Sequence, residues 1–430
     1  MVYMQNIVIN SEKMFDGHVL TKDASVLITN GIIAKVGKRG DFKGKTINTK
    51  FLLPGLIDMH MHLNAWGGLY KKSIRLFDYF NKLSVYNGVT TVRDVGNFVN
   101  NIYNFKQTKD PKPRIFSSIF LDGDKPIWGM SFIVTNEKQA KEIITVYKDS
   151  GIQWVKAYKS IRPEILKTII KEAHSEGLKV AGDLSATSQE DAVLMGIDTL
   201  EHAMLLINGL NGKLDDSAEE IYKRWAEIDI NSITVKKMID VLAGSSTAVC
   251  PTLILSKMEL FPSSEYSEYL NILFPLDKTY KKKNPKTHFT KINREKAFEN
   301  ILKLVKKLND GGLRLIAGSD TGNPYVAPGF SLHQELNLLV DSGLTPTEAL
   351  KTATSVAANV LGTNEIGQIK QGCKADMVLL SGDASSDINN INKITHVILD
   401  GNVINADTKD LLSKNTLKEF LPEKKKKVRK

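Results

Sequence analysis

Six residues with side chains that bind metals or move protons sit in or at the ends of short apolar runs. They are His60 and His62 in "DMHMHL", Lys156 in "QWVKAY", Asp183 in "VAGD", His202 in "LEHAM" and Asp320 in "AGSD". On a strand, His60 and His62 project from the same face, roughly 6–7 Å apart at their bases, so both imidazoles can meet at one ion. On a helix the same pair would diverge. Lys156 lies among apolar neighbours, where a buried ammonium is costly without a partner. Either its stem packs while its head reaches water, or it is desolvated and neutral and reacts with carbon dioxide to give a carbamate that bridges two cations. His202 alone reads equally as a capping residue, and Asp320 before Thr-Gly as a turn cap. Together these side chains, all from strand ends, make a constellation that structure alone does not explain.

A fold must bring them to one place. Eight apolar runs read as strands: 55–63, 88–96, 114–120, 152–160, 178–185, 198–204, 247–255 and 313–320. Amphipathic stretches such as "PEILKTIIKEAHSEG" fall between most of them, with apolar positions at three- and four-residue steps. Eight strand–helix units predict an α/β fold, a (β/α)8 TIM-type barrel, whose chemistry sits at the C-terminal strand ends. An open doubly wound sheet is the alternative, but no glycine-rich phosphate fingerprint follows any strand. Residues 1–53 alternate apolar and polar as in a small antiparallel sheet, and 365–405 repeat the style. The lysine-rich connections at 205–246 and 256–300 read as helical lids over the mouth.

The motifs "LLPGLIDMHMHL", "GVTTVRDVG", "GIDTLEHAM", "AGSDTGNP", "LHQELNLLVDSGLTPTEALKTATSVAANVLG" and "IGQIKQGCKADMVLLSGD" span nearly the whole chain. In this combination the sequence resembles the amidohydrolase superfamily, in the imidazolonepropionase-related, prolidase-like branch that uses a carboxylated lysine. The resemblance implies a small β-sandwich domain formed by both chain ends, 1–54 and 364–420. It places the hydrolase barrel at 55–363 and a basic tail at 421–430. It implies that His60, His62 and Asp320 hold one metal ion, that carbamylated Lys156 bridges, and that His202 holds the second. The expected cofactor is one or two divalent ions, zinc first, with manganese or iron as alternatives. Asp320 would act as general base and then acid in the attack of a metal-supplied hydroxide on an amide or peptide C–N bond. The substrate would be a small-molecule amide: an N-acyl amino acid, a dipeptide or a cyclic amide.

One position departs from the pattern. The family places histidine at the end of the fifth strand, where this chain has Asp183. Three readings stand open: an oxygen ligand in a two-metal site, a single-metal or weakly filled site, or an inactivating substitution. A degenerate scaffold, a lactonase or esterase, and a deaminase are the competing functions; Lys156 speaks against the deaminase. Tyr158 and Arg162 are candidate substrate contacts, with Arg93 as another polar group near a strand end. His333 reads as packing on a helix or as a substrate contact. His18, His174, His288 and His396 have no ligand spacing.

Composition narrows the classes further. Hydrophobic and charged residues make up 42% and 25% of the 430, the balance of a globular chain. No apolar run approaches the length of a membrane span. The N-terminus shows no signal-peptide pattern, and Cys250 and Cys373 match no metal or redox spacing, so a cytoplasmic setting is expected. The net charge of +10 is concentrated at one end: six of the last seven residues are basic, which leaves +4 for the rest. That is a solvated tail rather than a nucleic-acid surface. A homo-oligomer is left open.

Overall fold

The structure is a computed structural model, describing residues 6–63, 74–96, 111–129, 131–210, 217–261, 291–323 and 325–406. The chain begins with four strands: β1 (Ile7–Phe15), β2 (Leu20–Thr29), β3 (Ile32–Lys38) and β4 (Lys45–Pro54). Only then does it enter the parallel block: β5 (Leu56–Met61), β6 (Val89–Asp94), β7 (Arg114–Asp122), the two-residue β8 (Phe132–Ile133) and β9 (Trp154–Ala157). The block continues with β10 (Lys179–Gly182), β11 (Thr199–Glu201), β12 (Ala248–Cys250) and β13 (Arg314–Leu315). It ends with β14 (Met377–Leu380), β15 (Ile394–Leu399) and β16 (Asn402–Asn405).

The parallel block is the expected eight-stranded curled sheet, in the order β13-β12-β11-β10-β9-β7-β6-β5, with β8 added beside β7. Both faces of β5 and β6 are buried along their whole length, which is why they read as continuous apolar runs rather than alternating ones. The first and last strands of the curl meet. Met59 donates its amide to Ala317 O at 2.9 Å, Asp320 to His60 O at 2.7 Å and His62 to Thr321 O at 2.7 Å. These bonds put the ends of the first and eighth strands side by side, and with them three of the candidate ligands.

The helices between strands form for local reasons. Pro163–Ser175 starts with proline, whose missing amide costs nothing there, and buries Ile165, Leu166, Ile169, Ile170 and Ala173. Pro346–Thr352 begins with a reciprocal capping box between Thr345 and Glu348.

The chain ends form a second, seven-stranded sheet in the order β16-β15-β14-β4-β1-β2-β3. It is mixed, not wholly antiparallel: β1 pairs with β4 in parallel. Alternation of residue type reports that a strand has one buried face but not the direction of its neighbour. Two other expectations also need correcting. Residues 247–255 are not one strand, because the chain turns at Pro251 and Thr252 and continues as a helix over Leu253–Leu260. The run at 198–204 leaves the ladder after Glu201, and Ala203–Leu205 is a single 3-10 turn. Much of the lid expectation, the basic tail and His288 lie outside the described residues.

Candidate active site

His60 is held from behind. Its Nδ1 lies 2.6 Å from Glu201 Oε2. Glu201 in turn accepts bonds from Arg93 Nη2 at 2.7 and 2.9 Å and from Thr199 Oγ1 at 2.6 Å. Arg93 donates its Nε to Met59 O at 2.6 Å and its Nη1 to Thr199 Oγ1 at 2.9 Å. All four side chains are buried. Burial pushes the His60 imidazole down to about 3, so it is neutral, and its single proton belongs on Nδ1, facing the carboxylate. That leaves Nε2 as a bare lone pair.

His202 is fixed in a similar way from another side. The Thr252 hydroxyl gives its proton to Pro251 O at 2.9 Å, so its oxygen accepts from His202 Nδ1 at 2.8 Å. Nε2 of His202 then lies 3.2 Å from Asp183 Oδ2. The backbone turns sharply to achieve this. His202, Thr252 and Asp320 all have left-handed φ values, 67°, 45° and 57°, a conformation that costs a residue with a Cβ and collects at functional sites.

The remaining groups close around the same point. Asp320 Oδ1 is 3.4 Å from His60 Nε2 and 3.3 Å from His62 Nε2, and its Oδ2 is 3.8 Å from His202 Nδ1. Lys156, fully buried in β9, points Nζ to within 3.8 Å of Asp183 Oδ2. Burial alone would raise both carboxyls. The His62 and His202 imidazoles outweigh it at Asp320, and His202 with Lys156 outweighs it at Asp183, so both stay ionised well below the usual carboxylate range. Burial opposes charge on His202 too, but Asp183 and Asp320 win and raise it.

Four of these atoms lack hydrogen-bond partners although buried: His60 Nε2, Lys156 Nζ, Asp183 Oδ1 and Asp320 Oδ1. Buried polar atoms are almost always paired, so four unpaired ones on residues packed together mark a place built for something else. His60, His202 and Asp320 each present a ligand atom within 4.8 Å of the others. Nitrogen and oxygen donors at that spacing fit a divalent transition ion. A second grouping, His60 with Glu201 and Cys250, is geometrically close. It is a poor ion site because Arg93 and Thr199 already occupy the Glu201 oxygens.

A cavity of about 230 Å³ opens over this cluster, and His62, Asp183, His202, Asp320 and Tyr158 line it. Tyr158 accepts a bond from Trp128 Nε1 at 3.0 Å. Arg162 is not brought to the cavity: it precedes the helix Pro163–Ser175, and its exposed guanidinium turns to Glu164 and Thr135 O. His333 is also elsewhere, buried between Asn87 O at 2.8 Å and Asn392 Oδ1 at 2.9 Å, which fits the packing reading. Arg93 is the buried partner of Glu201, not a substrate contact.

Sequence reasoning passed over Glu201, Thr199, Thr252 and the Arg93 pairing. A signal was present for the first two. Glu201 and Thr199 stand two apart in the apolar run "DTLEHAM" and share a strand face, and Arg93 sits in another apolar run. Opposite charges in two buried strands must find each other. Thr252 gave no signal, because only the turn after β12 aims it.

The fold and site can now be set beside known proteins. The model of the Amidohydrolase family matches residues 51–404. This chain belongs to the amidohydrolase family. A dihydroorotase of Pyrococcus abyssi is 34% identical over 94 residues, which is 21% of this chain and 22% of that protein. The match thus spans about a fifth of the curated relative's length. Among solved amidohydrolase-like folds, A. niger ochratoxinase superposes with a TM-score of 0.71 at 17% identity, covering 97% of this chain and 100% of that one. A Xaa-Pro dipeptidase with bound methionine in its active site gives 0.68 at 19% identity, covering 93% and 100%. At these identities the likeness speaks for the fold.

Proposed function

We propose that the protein is a metal-dependent hydrolase of amide or peptide C–N bonds. The observation that carries this reading is the set of four buried atoms without hydrogen-bond partners, on His60, Lys156, Asp183 and Asp320, beside a cavity that Asp183 and Asp320 line. His60, His62 and Asp320 would hold one divalent ion. Asp183, His202 and a carbamate on Lys156 would hold a second. Zinc is the expected ion, with manganese or iron as alternatives. When bound, the cation supplies Lewis acidity, polarising a carbonyl and making hydroxide available near neutral pH.

The chain's own groups then do the rest. Asp320 accepts the proton of the attacking water as the C–O bond forms, and delivers it to the leaving nitrogen as the C–N bond breaks. Its carboxylate is ionised, as a base must be. Glu201 and Thr252 hold the imidazoles of His60 and His202 in single tautomers, so neither ring has to turn. Lys156 Nζ is buried and has no hydrogen-bond partner, which leaves it as the atom on which the carbamate would form. Asp183 takes the place of a histidine as an oxygen donor. The dipeptidase among the structural neighbours supports an amide substrate; the candidates are an N-acyl amino acid, a dipeptide or a cyclic amide.

Asp320→Asn tests the assignment. Turnover of N-acyl amino acids or dipeptides by the zinc-loaded protein is expected to fall about 10²–10⁴-fold. Metal content is measured alongside, to separate proton transfer from ion loss. Unchanged turnover in the variant would rule out this mechanism.

A further inference from the structure

Lys159 is the one cavity-lining lysine among the described residues, and the mechanism does not use it. It follows Tyr158 just beyond β9. Two amides of the next loop, Ser185 N at 3.1 Å and Ala186 N at 2.8 Å, bond to its carbonyl and fix its backbone. Its ammonium forms no ion pair or hydrogen bond with another described residue; Nζ lies 5.8 Å from the centroid of the Tyr158 ring. Two acidic residues that line the same cavity, Asp183 and Glu259, are engaged elsewhere. Asp183 faces His202 and Lys156, and Glu259 accepts the Tyr222 hydroxyl at 2.7 Å.

The wall beside this cation is apolar and partly open. The Phe120 and Tyr158 rings pack at 4.7 Å, Trp128 is bonded to the Tyr158 hydroxyl, and Ile127 and Trp128 expose 54% and 43% of their surface. Large apolar side chains exposed side by side at the mouth of a cavity offer a surface that a ligand can cover. A hydrophobic wall with one placed charge is the usual composition of a small-ligand site.

We propose that Lys159 and this wall select the substrate: an amide bearing a carboxylate, which Lys159 binds, and an apolar or aromatic side chain, which covers Ile127 and Trp128. N-acyl amino acids with apolar side chains have this chemistry. The inference rests on the hydrolase reading for the site's purpose, but its test needs no turnover.

The probes are 3-phenylpropanoate and its neutral counterpart 3-phenylpropanamide, measured by equilibrium binding to the metal-loaded protein. The wild type is expected to bind the carboxylate roughly tenfold more tightly than the amide, as one charge-assisted contact allows. Lys159→Met should abolish that preference, and Lys159→Arg should keep most of it. Circular dichroism of both variants checks the fold. Equal binding of the two probes by the wild type would overturn the proposal, as would no measurable binding of either. A preference that survives in Lys159→Met would overturn it too, because the ion or another group would then hold the carboxylate. If the preference behaves as expected but no amide is cleaved, the hydrolase reading fails and the binding site stands.

Discussion

Glu201 is the residue on which the geometry of the centre turns. It joins the cation of Arg93 to the proton on His60 Nδ1, so that Nε2 is presented as a lone pair in one orientation. Glu201→Gln keeps the shape but offers one oxygen and an amide in place of two anionic oxygens. Weakening such a carboxylate–histidine support costs about 10–100-fold in metal affinity. Competition against a chelator, with circular dichroism to confirm the fold, is expected to show a loss of that order. An unchanged dissociation constant would mean that His60 needs no support. At this scale the sequence announced the side chains that carry reactive atoms, because His and Asp at strand ends are conspicuous. It was silent on groups that act through others, since Thr252 reaches His202 only through a left-handed turn.

Among elements, the seam between β5 and the segment after β13 decides how closely the ligands meet. Gly318 sits in it, and a Cβ there would come within 2.5 Å of Cys250 Sγ, 2.6 Å of His60 Cβ and 2.8 Å of His60 N. Gly318→Ala therefore has to push the His60 strand outward. Overpacking of this kind costs about 1–3 kcal/mol, read as a lower Tm, and weaker metal binding should accompany it.

A second element-level prediction concerns Glu335, in the helix Phe330–Asp341, which accepts the Ile254 amide at 2.8 Å at the start of the helix Leu253–Leu260. Burial raises its carboxyl from 4.5 to about 8. The folded state therefore holds the proton more tightly than the unfolded chain. The stability this gives is full below about pH 4.5 and lost as the pH rises through 8. Glu335→Gln removes the titration, so its Tm relative to wild type should climb between pH 5 and pH 8. A flat difference would contradict the shift. The elements were largely legible: each of the eight strand runs holds a strand of the curled sheet, with shifted ends. One of them, 247–255, is a strand only over Ala248–Cys250 and hid a turn beyond it, because Cys-Pro-Thr-Leu carries no helix-start signal that outweighs its apolar character.

For the whole molecule, the eight-stranded curl was readable from the regular repeat of strands and helices, and the sheet character of both chain ends from alternation; that the two ends join in one sheet was implied only by the family resemblance. The direction of pairing between β1 and β4 was not, since it depends on where a strand returns and not on its residues. An ion bound at this site would tie together strands from opposite parts of the curl, and so would stabilise the native state. At a free concentration 100 times the dissociation constant, that linkage contributes about 2.7 kcal/mol. The most direct measurement takes protein grown with added zinc or manganese, counts the metal in it, and follows Tm and amide turnover before chelation, after it, and after metal is restored. The account predicts one or two ions per chain, with Tm and turnover falling together on chelation and returning together. A chain that holds no metal, or that cleaves amides as well without it, would contradict the account.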